Sequence, residues 1–382
     1  MKQKAKTKIV FYVDPQSMIN LAKYDYYLLE KISMPIYYFC SIYYDFDTNP
    51  ALTYRKVFSY NHKRHNWHKA VSYIRSYLTI LHHVVRLRPA VIHIQWFRIP
   101  HFDYAMVRLF QQLGTKVVFT AHNILPHQGN EKKNVDVFQK AYHAFDRIIV
   151  HSQATKEELI QTFHVTPDKI AVINHGILPL EYDVQKYENN CHIYDEKYAI
   201  NGKIVFSALG YQNYYKGTDL LAKVWAETPE LRESQNCILI IKGKVNDSSI
   251  DLSVVNGINN VIFEPQRISD EEFVYLLRHT DVYLLPYRDI SQSGALMTVM
   301  TEHIPVLATN VGGLAEPLAV APIGWVISHP TPENLKQALL DLLDHPEKIK
   351  AVKDDSNSWN TVCQHYGWEH IGKQTQQLYE SL

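Results

Sequence analysis

The segment of this chain best suited to chemistry is residues 281–316, where a short apolar run leads into a polar loop. The run at 282–285 is followed by the loop 288–294 and by a predicted helix over 295–302. A loop that connects the carboxyl end of a strand to a helix presents unpaired backbone N–H groups and the positive end of the helix dipole. It therefore suits an anionic or heavily hydroxylated ligand, although an ordinary βαβ unit without a ligand would show the same local pattern.

A second candidate is the loop GYQNYYKG at 210–217, which follows a predicted strand and begins a helix at Lys216. A lysine in that position can pair with a diphosphate, helped by the helix N-terminus. Gly243 and Glu264 end two further predicted strands, and the Glu264 carboxylate could bond a ribose or a base. The alternatives, a solvated lysine and ordinary strand-end residues, remain open.

Histidines follow two strands of the N-terminal half. His122 comes just after VVFT, with Asn123 and His127 in the same loop, and HIQW places His93 and Gln95 at another strand end. A neutral imidazole can hydrogen-bond a ligand hydroxyl or relay a proton. The chain has twenty histidines, so a packed structural histidine is an equal alternative at position 122.

These residues are positioned by a regular alternation of apolar runs and amphipathic stretches, which predicts two α/β units with parallel sheets. All of them fall at the carboxyl ends of predicted strands, where such sheets bind ligands. In the first half, strands are predicted at 9–13, 36–39, 91–94, 117–120 and 147–150, and helices at 20–31, 66–87, 103–113, 133–145 and 154–162. In the second half, strands are predicted at 204–208, 237–242, 261–264, 282–285 and 306–308, and helices at 216–226, 269–279, 294–302, 331–344, 346–357 and 368–382. Residues 181–201 are polar, rich in tyrosine and without clear periodicity, so they are interpreted as a linker.

The order of these motifs resembles retaining glycosyltransferases of the family 4 type, which have the GT-B fold. The resemblance rests on residues 281–316 together with HIQW at 93–96, TAHNILPH at 120–127, AFDRIIVHSQATKEEL at 144–159, NHG at 174–176 and GYQNYYKG at 210–217. It implies two Rossmann-like domains with parallel sheets that face each other across a cleft. The implied bounds are an acceptor-binding domain at 1–180, the linker at 181–201, a nucleotide-sugar-binding domain at 202–364 and a C-terminal helix at 365–382 that crosses back to the first domain.

The resemblance also implies roles for individual residues. His122 and Lys216 would be catalytic. The acceptor side would hold His93, Gln95, Asn123 and His127, and the donor would be bound by Gly210, Asn213, Lys216, Gly217, Gly243, Glu264, Asp289, Gln292, Ser293, Gly294 and Thr298. The chain departs from the family pattern at three places. Ile290 and Thr298 occupy the positions of the two usual glutamates, and Tyr211 or Asn213 occupies that of a frequent arginine.

Charge is unevenly divided along a chain that is neutral as a whole. Residues 1–190 contain 24 Lys+Arg and 15 Asp+Glu, an excess of nine positive charges, and the remainder carries the opposite excess. The two halves should therefore meet different partners, unless the opposite charges simply attract each other. The four cysteines, Cys40, Cys191, Cys237 and Cys363, are too scattered for a zinc site or a disulfide framework, which favours a reducing compartment.

The segment 61–69 is basic and contains Trp67, and it leads into a helix with Val71, Ile74, Leu78, Leu81 and Val85 at helical spacing. The apolar face is expected to pack in the core. The basic, aromatic start is also typical of helices that bind anionic lipid, so peripheral membrane contact is a further expectation. Nucleic acid is not expected, since no binding motif for it is present. No apolar run is long enough to span a bilayer, and the first residues are interpreted as a strand rather than a signal sequence.

Together these features predict a hexosyltransferase that uses a nucleotide-diphosphate sugar. The expected acceptor is a glycan or a lipid-linked molecule, in cell-surface polysaccharide or glycoconjugate synthesis, with retention of configuration. No metal or other cofactor is expected, and the expected location is cytoplasmic, with peripheral contact to the inner face of the membrane. The alternative is a catalytically silent partner of an active transferase, because both usual glutamates are absent. An epimerase or phosphorylase on the same fold is a weaker alternative, and the base, sugar, acceptor, linkage and oligomeric state are left open.

Overall fold

The fold consists of two α/β units, each built on a parallel β-sheet, as the sequence predicts. A computed structural model describes residues 8–47, 49–59, 66–124 and 131–382. The first unit comprises Met1–Gly176 and Gly367–Leu382, and the second comprises Ile177–Tyr366. Two of the sequence interpretations fall wholly or partly outside the described residues. They are His127 and most of the basic segment 61–69, including Lys63 and Arg64.

The first unit has a seven-stranded sheet in the order β3-β2-β1-β4-β5-β6-β7. Its strands are β1 (Val10–Val13), β2 (Ile36–Ser41), β3 (Leu52–Phe58), β4 (Val91–Ile94), β5 (Lys116–Thr120), β6 (Arg147–Val150) and β7 (Ile170–Val172). Its helices are α1 (Ala22–Leu29), α2 (Asn66–Leu87), α3 (Pro100–Gln112), α4 (Glu131–Ala144), α5 (Gln153–Phe163) and the C-terminal helix Trp368–Glu380. Strand β1 pairs in parallel with both β2 and β4, so the strand order reverses beside β1.

The second unit has a six-stranded sheet in the order β10-β9-β8-β11-β12-β13. Its strands are β8 (Ile204–Leu209), β9 (Cys237–Lys242), β10 (Val261–Glu264), β11 (Val282–Leu285), β12 (Val306–Thr309) and β13 (Gly324–Ile327). Its helices are α6 (Val184–Tyr198), α7 (Thr218–Glu227), α8 (Pro229–Arg232), α9 (Asp270–Arg278), α10 (Gly294–Thr301), α11 (Glu316–Val320), α12 (Pro332–Asp344), α13 (Pro346–Asp354) and α14 (Ser356–His365). The C-terminal helix is therefore α15. Here the strand order reverses between β8 and β11, and loops at such a point bind ligands in open α/β sheets.

Five interior strands are buried along their whole length because helices cover both faces of each sheet. Every residue of β1, β4, β9, β11 and β12 is buried. Three strands were not predicted, namely β3, β7 and β13. Strand β3 lies at the sheet edge and exposes Arg55 and Lys56, and such charges on an edge strand conceal its apolar pattern.

The segment interpreted as a linker forms helix α6 instead of irregular chain. Asp183 caps its start by accepting a hydrogen bond from the Lys186 N–H at 3.0 Å. Tyr187, Cys191 and Tyr194 recur at helical spacing and pack against the core of the second unit. The correction has a physical reason: the helix buries tyrosine and cysteine in place of aliphatic side chains, which hides its periodicity from a hydropathy pattern.

Helix α2 packs with a different face from the one predicted. Tyr73, Tyr77, Ile80 and Val84 are buried in the core of the first unit. The predicted core face is instead exposed, with exposed fractions of 49% for Val71, 37% for Ile74, 55% for Leu78 and 58% for Val85, while Leu81 is half-buried. The prediction was wrong because the helix carries two apolar stripes. The aromatic one contributes more buried area, and its Tyr73 hydroxyl donates a hydrogen bond to Asp103 at 2.8 Å.

Among the described residues, no helix combines the length and the apolar character that crossing a bilayer requires.

Candidate functional site

The loop after β8 is held in a fixed shape by one buried side chain. The Gln212 amide donates a hydrogen bond to the Gly210 carbonyl at 2.8 Å and accepts one from the Thr218 hydroxyl at 2.5 Å. Gln212 thus joins the end of β8 to the first turn of α7. Asn213 precedes the short turn Tyr214–Lys216, which delivers the chain to the start of the helix.

Two glycines let the strand ends approach closely in this unit. Gly217 has φ of +67°, and a Cβ atom there would lie 2.0 Å from the Pro286 carbonyl oxygen. Gly243 has φ of +136°, and a Cβ atom there would lie 1.9 Å from the Gly210 carbonyl oxygen. Both positions therefore need glycine for conformation and for space. The backbone after β8, β9 and β11 converges as a result.

Lys216 lies at this convergence without an acidic partner. Its Nζ is 4.0 Å from the place that a Gly210 Cβ would occupy and 5.9 Å from the centre of the Tyr287 ring. Within the described ranges, no carboxylate lies within ion-pair distance of this ammonium group. Burial lowers the pKa of Lys216 to about 8, and no neighbouring charge opposes that effect. An unpaired ammonium group beside a helix N-terminus favours an anion.

Arg288 cannot take the same role, because its charge is already neutralised. Its guanidinium donates to both Asp219 carboxylate oxygens, at 2.7 and 2.8 Å, and lies 4.2 Å from the centre of the Tyr214 ring. Its backbone N–H also donates to the Tyr215 carbonyl at 2.7 Å. Arg288 therefore ties the loop 288–294 to the loop 210–217. This function of Arg288 was not predicted from the sequence, although the sequence shows the opposite charges of Arg288 and Asp219.

The loop 288–294 can offer a ligand backbone groups more readily than side chains. The Ser293 hydroxyl caps α10 by accepting from the Leu296 N–H at 3.3 Å, and the Thr298 hydroxyl donates to the Gly294 carbonyl at 3.0 Å. Gly294 is exposed, and among the described residues outside its own helix a Cβ atom there would approach only Leu178, at 3.9 Å. Of the residues predicted to bind the sugar donor, Asp289 is exposed and Gln292 is half-buried. Ile290, which lies between them, packs against the core of the second unit.

Glu264 lies at the end of β10, as predicted, but its carboxylate is engaged by lysines. It accepts hydrogen bonds from buried Lys242 and from Lys197, the latter at 3.0 Å, and Lys242 also pairs with Glu272 at 2.8 Å. Burial alone would raise the pKa of Glu264, but these lysine contacts outweigh it and hold the pKa below its ordinary value. A contact of Glu264 with a ribose would have to compete with two ion pairs.

The first unit brings its predicted histidine and glutamine together at the ends of β4 and β5. His122 Nε2 lies 2.9 Å from Gln95 Oε1, and His93 Nε2 lies 3.0 Å from Gln95 Nε2. His122 also stacks on Trp96, with ring centres 4.5 Å apart. Asn123 follows at the same strand end and is half-buried.

Two more histidines complete this cluster. His151, at the end of β6, places its Nε2 3.2 Å from His122 Nδ1, and His175 lies beside it with ring centres 5.6 Å apart. Burial lowers the pKa of His93 and of His151 to about 3, and it lowers the pKa of His122 and His175 as well. The imidazoles are therefore neutral at pH 7. His151 could have been proposed from the sequence, because it also follows a strand.

Two family models match consecutive parts of the chain. The model described as Glycosyltransferase Family 4 matches residues 39–179, and that described as Glycosyl transferases group 1 matches residues 193–359. The chain belongs to the GT4-like glycosyltransferases of the GT-B fold. The resemblance drawn from the sequence motifs is confirmed.

Similar proteins agree with this family assignment. An uncharacterized glycosyltransferase of Methanocaldococcus jannaschii is 23% identical over 63% of this chain and 63% of its own length. The MMP alpha-(1->4)-mannosyltransferase of Mycolicibacterium hassiacum is 22% identical over 64% of this chain and 56% of its own length. The chain thus aligns with less than two thirds of the length of these relatives.

Solved structures show the same fold over nearly the whole chain. Sucrose-phosphate synthase from Thermosynechococcus elongatus has a TM-score of 0.68 at 15% identity, covering 98% of this chain and 99% of its own. Anabaena HepE, solved with UDP, has a TM-score of 0.69 at 13% identity, covering 98% of this chain and 100% of its own.

Proposed function

We propose that the protein transfers a hexose from a nucleoside-diphosphate sugar to a glycan or a lipid-linked acceptor, with retention of configuration. The observation that carries the proposal is Lys216, a half-buried lysine in the turn before α7 whose ammonium group has no carboxylate partner among the described residues. Gly217 and Gly243 let the backbone after β8, β9 and β11 converge beside it.

In this proposal the protein acts on the leaving group mainly by electrostatics. Negative charge develops on the diphosphate as the sugar bond breaks, and Lys216 with the N-termini of α7 and α10 would stabilise it. Gly294 presents a backbone without a side chain where the sugar would lie, while the Ser293 and Thr298 hydroxyls are already used within α10. We further propose that the reaction needs no metal, because these groups supply the positive charge. Full activity in EDTA is the expected result.

The test is a calorimetric panel of UDP, GDP, ADP and their sugars, followed by transfer and hydrolysis assays. UDP is the first candidate, because HepE, of the same fold, is described in complex with UDP and with UDP-glucose. We expect one diphosphate to bind, its sugar to be transferred and the product to keep the anomeric configuration of the donor. Absence of binding by every nucleotide would refute the proposal.

The alternative is a catalytically silent sugar-nucleotide-binding partner of an active transferase. The observation that favours it is the replacement of both customary glutamates by Ile290 and Thr298, since neither can carry a negative charge. Binding of a sugar nucleotide without transfer or hydrolysis, with every acceptor tried, would support this alternative.

We also propose that helix α2 contacts an anionic membrane, where a lipid-linked acceptor would lie. The helix exposes an apolar stripe, the α2 stripe, made of Trp67, Val71, Ile74, Leu78 and Val85. Residues 48–102 contain nine Lys+Arg and no Asp or Glu, and exposed Arg75 and Arg86 flank the α2 stripe. An exposed apolar face bordered by cations fits a surface of anionic headgroups over acyl chains.

Vesicle sedimentation tests this contact. Wild-type protein should sediment with vesicles containing anionic lipid at low salt, and Leu78→Ser with Val85→Ser should release it. The control is Val326→Ser, which removes an apolar side chain of the second unit that is 45% exposed. Charge reversal at Lys63, Arg64 and Lys69 should also release the protein, as should high salt. If wild-type protein stays in the supernatant, a soluble glycan becomes the better acceptor.

A further inference from the structure

Polar side chains of the first unit form one continuous hydrogen-bonded chain that ends at a backbone carbonyl. The successive contacts are Tyr379 Oη to His93 Nδ1 at 2.6 Å, His93 Nε2 to Gln95 at 3.0 Å, Gln95 to His122 Nε2 at 2.9 Å, His122 Nδ1 to His151 Nε2 at 3.2 Å, and His151 Nδ1 to the Ile173 carbonyl at 2.9 Å. Tyr379, His93, Gln95 and His151 are all at least 98% buried.

The Ile173 carbonyl fixes the direction, from donor to acceptor, of every hydrogen bond in this network. A carbonyl oxygen can only accept, so His151 Nδ1 must carry a proton. Because burial keeps His151 neutral, its Nε2 has a lone pair and must accept from His122 Nδ1–H. His122 is also neutral, so its Nε2 has a lone pair that faces the Gln95 amide.

The orientation of the Gln95 amide then follows. Its NH₂ group must face His122, so oxygen and nitrogen exchange the places given by the 2.9 and 3.0 Å contacts, and the Gln95 oxygen faces His93 Nε2. His93 Nε2 therefore carries a proton, which both the Gln95 oxygen and the Thr120 hydroxyl, 2.7 Å away, can accept. His93 Nδ1 then accepts from the Tyr379 hydroxyl. Every residue of this hydrogen-bonded network then has a partner while remaining uncharged.

The opposite orientation of the Gln95 amide would leave two buried ring nitrogens facing each other without a proton between them. If the Gln95 oxygen faced His122, His122 Nε2 would carry the proton and its Nδ1 would be bare. The bare Nδ1 would then face the bare Nε2 of His151 at 3.2 Å, or His151 would have to be charged. The described groups that surround His122, namely Tyr24, Trp96, His93, His151 and His175, include no carboxylate that would favour a charge.

We propose that Gln95 and His151 are positioning residues that hold His122 in the Nδ1–H tautomer, with a lone pair on Nε2. This assignment rests on the contacts within the first unit. Its consequence rests on the proposed function: a substrate hydroxyl that reaches His122 would have to displace the Gln95 amide and donate to Nε2. His122 Nε2 would then bind a substrate hydroxyl by accepting a hydrogen bond from it.

The test is the nitrogen-15 spectrum of the histidine rings in the ligand-free full chain. Two-bond correlations distinguish a protonated ring nitrogen from a bare one, and His122→Gln and His151→Gln assign the signals. We expect a protonated Nδ1 and a bare Nε2 in both His122 and His151. A protonated Nε2 with a bare Nδ1 in His122 would overturn the proposal.

Two substitutions at position 95 separate positioning from packing. Gln95→Glu presents only acceptors, so His122 should take a second proton, with a protonation constant about tenfold to a thousandfold larger. Gln95→Met has nearly the same size but cannot hydrogen-bond strongly, so His122 should keep the wild-type tautomer through His151. If Gln95→Glu folds and leaves His122 neutral, or if both variants change its spectrum alike, Gln95 only packs. Because no substrate is present, failure of the transferase proposal would leave these results unaffected.

Discussion

Replacing Lys216 by methionine should weaken diphosphate binding and at the same time stabilise the ligand-free protein. The substitution keeps the size of the side chain and removes its charge. With a pKa of about 8, Lys216 is roughly nine-tenths protonated at pH 7, so the wild-type protein presents a cation to the ligand. Hydrogen bonds to charged groups contribute about 1.5–3 kcal/mol, which corresponds to an increase of the Kd of about tenfold to 150-fold.

The stability effect has the opposite sign. The folded state lowers the pKa of Lys216 from 10.5 to about 8, so it penalises the charged form. This penalty is complete below pH 8, shrinks as the pH rises from 8 to 10.5, and is absent above 10.5, where Lys216 is neutral in both the folded and the unfolded states. Lys216→Met removes it, so the free energy of unfolding at pH 7 should rise, by up to about 3 kcal/mol.

Titration calorimetry with UDP and urea unfolding of the ligand-free protein measure the two effects. The affinity of the wild-type protein should fall as the pH rises above 8, whereas that of the variant should not. The control is Lys223→Met, an exposed lysine on α7, which should change neither quantity by more than about 0.5 kcal/mol. Unchanged UDP affinity in Lys216→Met, together with unchanged stability, would refute both the phosphate role and the unpaired charge.

Two further changes test the loops that would hold the donor. Gly294→Val should abolish transfer and leave the circular dichroism spectrum unchanged, because a Cβ atom at this exposed position meets only Leu178, at 3.9 Å, within its own unit; wild-type turnover in a folded variant would show that the loop is not at the reacting sugar. Gly243→Ala should lower the free energy of unfolding by at least about 1–3 kcal/mol, because its φ is +136° and the new Cβ would lie 1.9 Å from the Gly210 carbonyl oxygen. A thermal unfolding temperature equal to that of the wild type would contradict this close approach.

Much of the candidate donor site could be predicted because its signals are local. A strand, a glycine-containing loop and a helix start follow each other in GYQNYYKG, and that order alone places Lys216 at a helix N-terminus. The ends of parallel strands meet at one edge of a sheet, so Gly210 and Gly243 had to come together once the strands were recognised.

The state of each side chain could not be predicted in the same way. Glu264 is engaged by Lys197, 67 residues away in sequence, and Tyr379 reaches His93 across 286 residues. No local pattern specifies such partners, because any of several lysines or tyrosines would satisfy the same chemistry. Which of them arrives is decided by the packing of whole helices.

Helix α2 shows most clearly which features follow from the sequence and which follow only from the tertiary structure. The sequence by itself determined that residues 66–87 form an amphipathic helix, because apolar residues recur with the helical period and no proline interrupts them. It also determined the two α/β units, since their alternating pattern is a local property of the chain. Only the tertiary structure decided that Tyr73 and Tyr77 face the core while Val71 and Leu78 face outward. The choice between two apolar stripes depends on the surface that each would cover, and that surface is made by β3 and α3, which no pattern within the helix encodes.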